Sequence, residues 1–208
     1  MRGKFITIEG GEGVGKTTNI DFIKGWLERH DIAYVATREP GGTPYGEKIR
    51  ALLLAHQDEA VDPVAELLLI FAARAQHLAR VIEPALAAGL WVLCDRFTDA
   101  TYAYQGGGRN LDMDKIATLE TLVQGELRPD LTLLLDVDPA IGMARAGGRG
   151  ALDRFESEKM AFFRRVRKTY LDRAQRQPQR YAVVDASQPL TLVQEGIEKV
   201  FDDYLRAL

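Results

Sequence analysis

One short run near the N-terminus, Gly10-Gly11-Glu12-Gly13-Val14-Gly15-Lys16-Thr17, restricts what this chain can fold into more than any other feature. It fits the pattern G-x-x-x-x-G-K-[ST]. The apolar run Phe5–Ile8 precedes it, and a stretch with Ile20, Ile23 and Leu27 at helical spacing follows. The spacing has a physical cause. Glycines let successive backbone N–H groups turn inward around a phosphate, and the helix N-terminus adds positive potential. Lys16 can reach the outer phosphates, and the Thr17 hydroxyl can hold Mg²⁺. Strand, loop and helix together predict a nucleoside triphosphate site.

The rest of the chain repeats the alternation. Candidate strands are Phe5–Ile8, Ala33–Thr37, Trp91–Cys94, Leu131–Val137 and Tyr181–Val184. Several are continuous apolar runs, as strands buried on both faces should be. Helical segments lie between them. One starts near Lys16, and a long one runs from Pro63 to about Ala88, with Pro84 expected to kink its end. Others cover Asp112–Gly125, Glu158–Gln177 with a basic face read as solvated, and the chain from Leu190 onward. Repeated β–helix–β units imply a P-loop three-layer α/β fold: a five-stranded parallel sheet with helices on both faces. No linker or repeat divides the chain, so residues 1–208 read as one domain. Gly106-Gly107-Gly108 and Gly147-Gly148-Arg149-Gly150 interrupt the pattern. Ligands gather at the carboxyl ends of parallel strands, which places the chemistry in the loops that follow them.

Composition narrows the class. Of 208 residues, 46% are hydrophobic and 27% charged, with a net charge of −3. That supports a sizeable core, argues against a disordered chain, and lacks the basic excess of a duplex-binding protein. No nucleic-acid partner is expected. The single cysteine, Cys94, rules out a disulfide framework or a multi-cysteine zinc site and points to a reducing cytoplasm. The start of the chain has no signal-peptide pattern. The longest apolar region, around Leu67–Phe71, is broken by Arg74 and His77, so a membrane span of about 20 residues is not expected.

Two further signals concern what is done with the nucleotide. Asp95 ends an apolar strand, where a second acid is needed near the metal, and Arg96 beside it suits a second anion. Arginines also recur in the expected loops: Arg38 after the second strand, then Arg145, Arg149 and Arg154 around the second glycine-rich segment. Phosphoryl transfer needs alignment and cations around the moving group more than covalent help, and an arginine-bearing loop can close over the reactants.

The phosphate loop with Glu12, Arg38-Glu39-Pro40-Gly41-Gly42-Thr43, Phe71-Ala72-Ala73-Arg74, Asp95-Arg96-Phe97 and Tyr104-Gln105-Gly106-Gly107-Gly108-Arg109 occur in that order over nearly the whole chain. Together they resemble the bacterial thymidylate kinases. The resemblance implies transfer of the γ-phosphoryl group of ATP to dTMP, with Mg²⁺, in a homodimer. It implies that Gly10–Thr17, with Thr18, hold the ATP phosphates, and that Arg145 stacks on adenine. Thr17, Glu12 and Asp95 would surround the metal. Lys16, Asp95, Arg96 and the lid cations Arg149 and Arg154, in a lid around 145–155, would be catalytic. Arg96 would bind the dTMP phosphate, with Glu12, Arg38, Glu39 and Arg50 around the acceptor. Arg74 would donate to a thymine carbonyl, Thr101 and Gln105 would meet the base edge, and Tyr104 would favour the deoxy sugar.

The chain departs from that pattern in three places. An aromatic often stands four residues before the base-binding arginine; here that position is Ile70, and Phe71 stands three before, so both are candidates for the base. Phe97 stands where Tyr or His is frequent. The phosphate loop carries Glu12 and Val14 in place of an arginine, and the arginines lie in the lid instead, as in the bacterial arrangement. Rival readings are a kinase for another monophosphate, a nucleotide-dependent switch, and an inactive nucleotide-binding module. A switch predicts a guanine-reading Asn-Lys-x-Asp motif, which is absent; an inactive module predicts loss of Lys16 or Asp95, and both are present.

Overall fold

Strand β1 (Phe5–Glu9) is buried along its whole length. It is flanked on both sides, by β3 (Trp91–Asp95) and β4 (Leu131–Asp136), so neither of its faces nor its edges meets water. In the computed structural model, which describes residues 2–56, 58–146 and 153–208, β2 (Tyr34–Arg38) and β5 (Tyr181–Asp185) close the two edges. All pairings are parallel, in the order β2-β3-β1-β4-β5. Parallel strands need long crossovers, and the helices supply them.

Strand alternation sorts the core into two faces. Ile6, Ile8, Leu93, Leu133 and Leu135 point to one face, where Trp26 and Leu27 of α1 (Lys16–Arg29) and Phe201 of α9 (Leu190–Arg206) pack on them. Phe5, Val92 and Cys94 point to the other, under Leu78, Ile82 and Leu86. That second face also carries α3 (Pro63–His77), α6 (Met113–Gln124) and α8 (Met160–Arg176). The expected three layers are present, and the strands match their expected bounds to within a residue or so.

The long helix from Pro63 divides where expected, by a particular device. After His77 the chain widens into a π-helical turn, Leu78–Ile82, and resumes as α4 (Glu83–Ala87) with Pro84 in its first turn. Proline has no N–H to donate and its ring crowds the preceding turn, and the wider turn accommodates both. Two helices lie where no element was expected, α2 (Pro44–Leu54) and α7 (Pro139–Ala146). Thr43 caps α2 by accepting from the Gly46 N–H, with Pro44 at the first turn.

The glycines at 106–108 do not interrupt the helical pattern. Short α5 (Thr98–Thr101) runs into a π-helical turn over Tyr102–Gly108, which lies flat on α8. A methyl on Gly107 would meet Thr169 and the Arg165 carbonyl, and one on Gly108 would meet the Phe162 ring, so glycine is what lets the two elements approach. The basic face of α8 is also less solvated than expected. Arg165 donates to the Gly107 and Gly108 carbonyls, Arg167 pairs with Asp136, and Arg173 pairs with Asp99, while Arg164, Lys168 and Arg176 are exposed.

Candidate active site

The loop after β1 turns through left-handed glycines, Gly13 at φ 67° and Gly15 at φ 85°, before Lys16 opens α1. Gly13 lies directly on Gly142 of α7: a Cβ on either would overlap the other strand of backbone, at the Gly142 carbonyl or the Glu12 carbonyl. Lys16 Nζ folds back over the loop, donating to Gly10 O at 3.4 Å and Gly11 O at 3.2 Å. Burial lowers the Lys16 pKa, and the nearby Arg96 charge lowers it further. The Thr17 and Thr18 side chains are exposed.

Asp95 ends β3, and the next residue, Arg96, takes φ 69°, a conformation rare for a side chain of its size. Neighbouring hydrogen bonds over-determine it: Arg96 N donates to Ile8 O at 3.0 Å, and Phe97 N donates to Glu9 Oε1 at 2.7 Å. The turn aims the guanidinium at the phosphate loop, where Nη1 donates to Gly10 O at 3.0 Å and Nη2 to Glu12 Oε1 at 2.8 Å. Tyr104 lies under the guanidinium, 4.8 Å from ring centroid to Cζ, and its hydroxyl donates to the same Glu12 oxygen at 2.6 Å. Burial alone would raise the Glu12 pKa; the Arg96 and Lys16 charges and the Tyr104 hydroxyl outweigh it and bring it down to about 2. Glu9 behaves oppositely. Burial, then the Asp99 charge, push its carboxyl up to about 8, although Tyr170 donates to its second oxygen at 2.7 Å.

The other end is built from α3 and the turn after α5. Arg74 is buried between the rings of Phe71 and Phe97, at 4.7 and 5.0 Å. Its Nε donates to Glu39 Oε2 at 2.7 Å and its Nη2 to Thr101 Oγ1 at 2.9 Å, while its buried Nη1 has no partner. Glu39 is held in turn by His77, whose Nδ1 lies 2.9 Å from Oε1 and whose Nε2 meets the Thr37 hydroxyl. Arg50 donates to Pro40 O at 3.0 Å.

These two ends face one cavity of about 250 Å³. Glu12 through Thr17, Asp95 and Arg96 line its phosphate-loop end, and Glu39, Arg50, Ile70, Arg74, Thr101, Tyr104 and Gln105 line the rest. Ile70 and Phe71 separate: Ile70 lines the cavity, whereas the Phe71 ring turns the other way along α3, into a cluster with Leu67, Tyr102 and Ile116. Phe71 therefore supports Arg74 from behind. Phe97 and Phe155, which the sequence reading did not assign to the site, also line the cavity.

Other expected residues lie elsewhere. Arg38 is on the outer side of the sheet edge, paired with Glu47 at 2.8 Å and bordering a separate open cleft with Thr17 and Lys24. Arg145 donates to Ala186 O at 2.8 Å, so the structure ties it to the turn after β5. Arg154 is largely buried: Nε donates to Leu53 O at 2.9 Å and Nη2 lies 2.6 Å from Glu66 Oε2. Arg149 lies outside the described residues, as does most of the expected lid. Glu66 itself carried no signal in the sequence, since a lone acid on an amphipathic helix reads as solvent-facing. It is fully buried and gathers Gln105, Arg109 and Arg154.

The donor set suits magnesium. Among the described residues no cluster of three or more His, Cys, Asp or Glu could hold a metal unaided. Mg²⁺ needs only one or two protein oxygens beside substrate phosphates and water. Asp95 Oδ1 is buried without a partner, and the exposed Thr17 hydroxyl sits at the same end of the cavity. Glu12 Oε1 is already engaged by Arg96 and Tyr104.

Comparison with known proteins agrees with this geometry. The family model described as thymidylate kinase matches residues 8–197. The thymidylate kinase of Pseudomonas putida (strain GB-1) is 62% identical over 198 residues, covering 95% of this chain and 94% of its own. That of Teredinibacter turnerae is 56% identical over 205 residues, covering 99% and 100%. The crystal structure of thymidylate kinase from Ehrlichia chaffeensis superposes with a TM-score of 0.76 at 34% identity, covering 97% of this chain and 99% of that one. A family match across most of the length, on a fold and cavity of this form, means that the chain belongs to the thymidylate kinases.

Proposed function

We propose that this cavity receives dTMP with its phosphate at Arg96 and its base at Arg74, and that the γ-phosphoryl group of ATP passes to it from the phosphate loop. The reaction follows from family membership: ATP and dTMP give ADP and dTDP, a step of dTTP synthesis. The observation that carries the assignment of ends is the single cavity with cations at both, Lys16 and Arg96 at one and the unpartnered Arg74 Nη1 at the other.

A dTMP phosphate oxygen attacks the γ-phosphorus, the bond to the β–γ bridging oxygen breaks, and ADP leaves with that electron pair. The attacking oxygen is already anionic, so no general base is needed. Arg96 fixes the acceptor phosphate for in-line attack, and Glu12 and Tyr104 hold its guanidinium in place. Lys16 and the loop amides stabilise charge on the transferred group. Thr17 and Asp95 would hold magnesium, which supplies charge neutralisation at the β- and γ-oxygens when bound. Tyr104 narrows the sugar pocket.

The exposed face of α3 supports a homodimer. Val64, Leu68, Ala72 and Ala75 form an outward apolar stripe at helical spacing, more than this chain's own core uses. Among the described residues no helix is long and apolar enough to cross a membrane. A cytoplasmic location fits the one buried free thiol, Cys94.

The test is ADP release from ATP and Mg²⁺ with dTMP, dCMP, AMP or no acceptor, for the wild type and Arg96→Ala. The wild type should prefer dTMP strongly and release little ADP without acceptor. Arg96→Ala should lose at least about ten-fold in kcat/KM for dTMP, as removal of a charge-assisted bond implies, with the KM for ATP little changed. Equal ADP release without an acceptor would sink the kinase assignment of the cavity.

A further inference from the structure

Gln105 lines the cavity, and the neighbour that orients its amide is Glu66. Glu66 is fully buried on α3, and its Oε1 receives Gln105 Nε2 at 2.7 Å. The same carboxylate pairs with Arg109 at 3.4 Å and Arg154 at 2.6 Å. Arg109 and Arg154, both part-buried, give it two guanidinium donors, and a carboxylate paired in this way accepts. An amide beside it must therefore turn its NH₂ group toward Glu66. That leaves Gln105 Oε1 as the group offered to the cavity.

We propose that Glu66 is a specificity-determining positioning residue, which fixes Gln105 as an acceptor and so makes the cavity select a base edge with a ring N–H donor beside a carbonyl. The inference rests on the reading of this cavity as a thymidylate site. The second half of the edge is already set: Arg74 Nη1 is buried, unpartnered and can only donate. A donor beside an acceptor matches the O4 carbonyl and N3–H of thymine or uracil. Cytosine presents the reverse, an amino donor and a ring-nitrogen acceptor, and would leave both protein groups facing their own kind. Were the amide free to flip, Gln105 could serve the cytosine nitrogen with its NH₂ group. Glu66 removes that option by accepting the NH₂ group, at a distance from the base.

The experiment compares kcat/KM for dTMP, dUMP and dCMP in the wild type, Glu66→Gln, and the double variant Glu66→Gln/Gln105→Glu, with folding followed by thermal melting. Preference of the wild type for dTMP over dCMP tests the thymidylate reading itself; its absence would remove that reading and this proposal together. In Glu66→Gln the dTMP/dCMP ratio should fall at least ten-fold, while the dTMP/dUMP ratio stays within two-fold, because both of those bases carry the same edge. The double variant restores an acceptor-only group at 105, held by the new amide at 66, and should recover most of the discrimination against dCMP. If Glu66→Gln alone does not fold, the double variant keeps one carboxylate in the cluster and reads the same ratio. An equal loss for all three acceptors in Glu66→Gln, or a double variant that stays unselective, overturns the proposal.

Discussion

Arg96 keeps its unusual backbone because its neighbours leave no alternative: the amides of residues 96 and 97 are both bonded into β1. Such a conformation costs about 1–3 kcal/mol and is retained where the side chain's direction matters. Its partner Glu12 has a measurable signature. The Glu12 pKa falls from an ordinary 4.5 when unfolded to about 2 when folded. The stability this brings is complete above pH 4.5 and is lost as pH falls through about 2. Urea unfolding of the wild type and Glu12→Gln should therefore show a stability gap that is constant near neutrality and shrinks steadily below pH 4.5. A gap that stayed the same down to pH 2 would mean that Glu12 is not held ionised by Arg96 and Lys16.

Elements differ in how plainly the sequence announces them, and the reasons are physical. The central strands β1, β3 and β4 were legible because burial on both faces leaves apolar runs, and the phosphate loop because its glycines and lysine have few other uses. Helix α2 was missed although Thr43 and Pro44 mark its start, because the preceding glycines read as a continuous loop. That helical turns run on through Gly106–Gly108 was not anticipated, since three glycines argue against any helix; their purpose lies in α8, where Arg165 meets Gly107 across 58 residues of chain. Glu66 was missed for a similar reason, because its partners are remote in sequence. The Gly107 contact can be tested directly. Gly107→Ala places a methyl against Thr169 and the Arg165 carbonyl. It should cost about 1–3 kcal/mol in urea unfolding, as overpacking does, and a change below about 0.5 kcal/mol, the size of a neutral surface substitution, would show that the two elements can part freely.

At the scale of the molecule, the phosphate loop follows the central strand and the other end of the cavity is carried largely by helices on one face, so the cavity lies beside the loops after β1 and β3, at the middle of the sheet. That same layer presents the apolar stripe of α3 outward, on the helix whose inner side carries Glu66, Ile70 and Arg74. Assembly through this stripe would stiffen the acceptor end. Sedimentation should give a dimer for the wild type. Leu68→Glu, which puts a charge in the stripe without touching the core, should shift it toward monomer; a wild type that sediments as a monomer at micromolar concentration would overturn the assignment of this face.

The contact between Gly13 and Gly142 has a consequence for inheritance. Every single-base missense change in a glycine codon introduces a residue with a Cβ, and at either position that atom would fall on the opposing backbone carbonyl. No neighbouring codon offers a compromise, and a change at one position cannot be relieved by a smaller residue at the other, which is already the smallest. Lineages carrying this gene are thus held to glycine at both positions of the seam where the phosphate loop rests on α7.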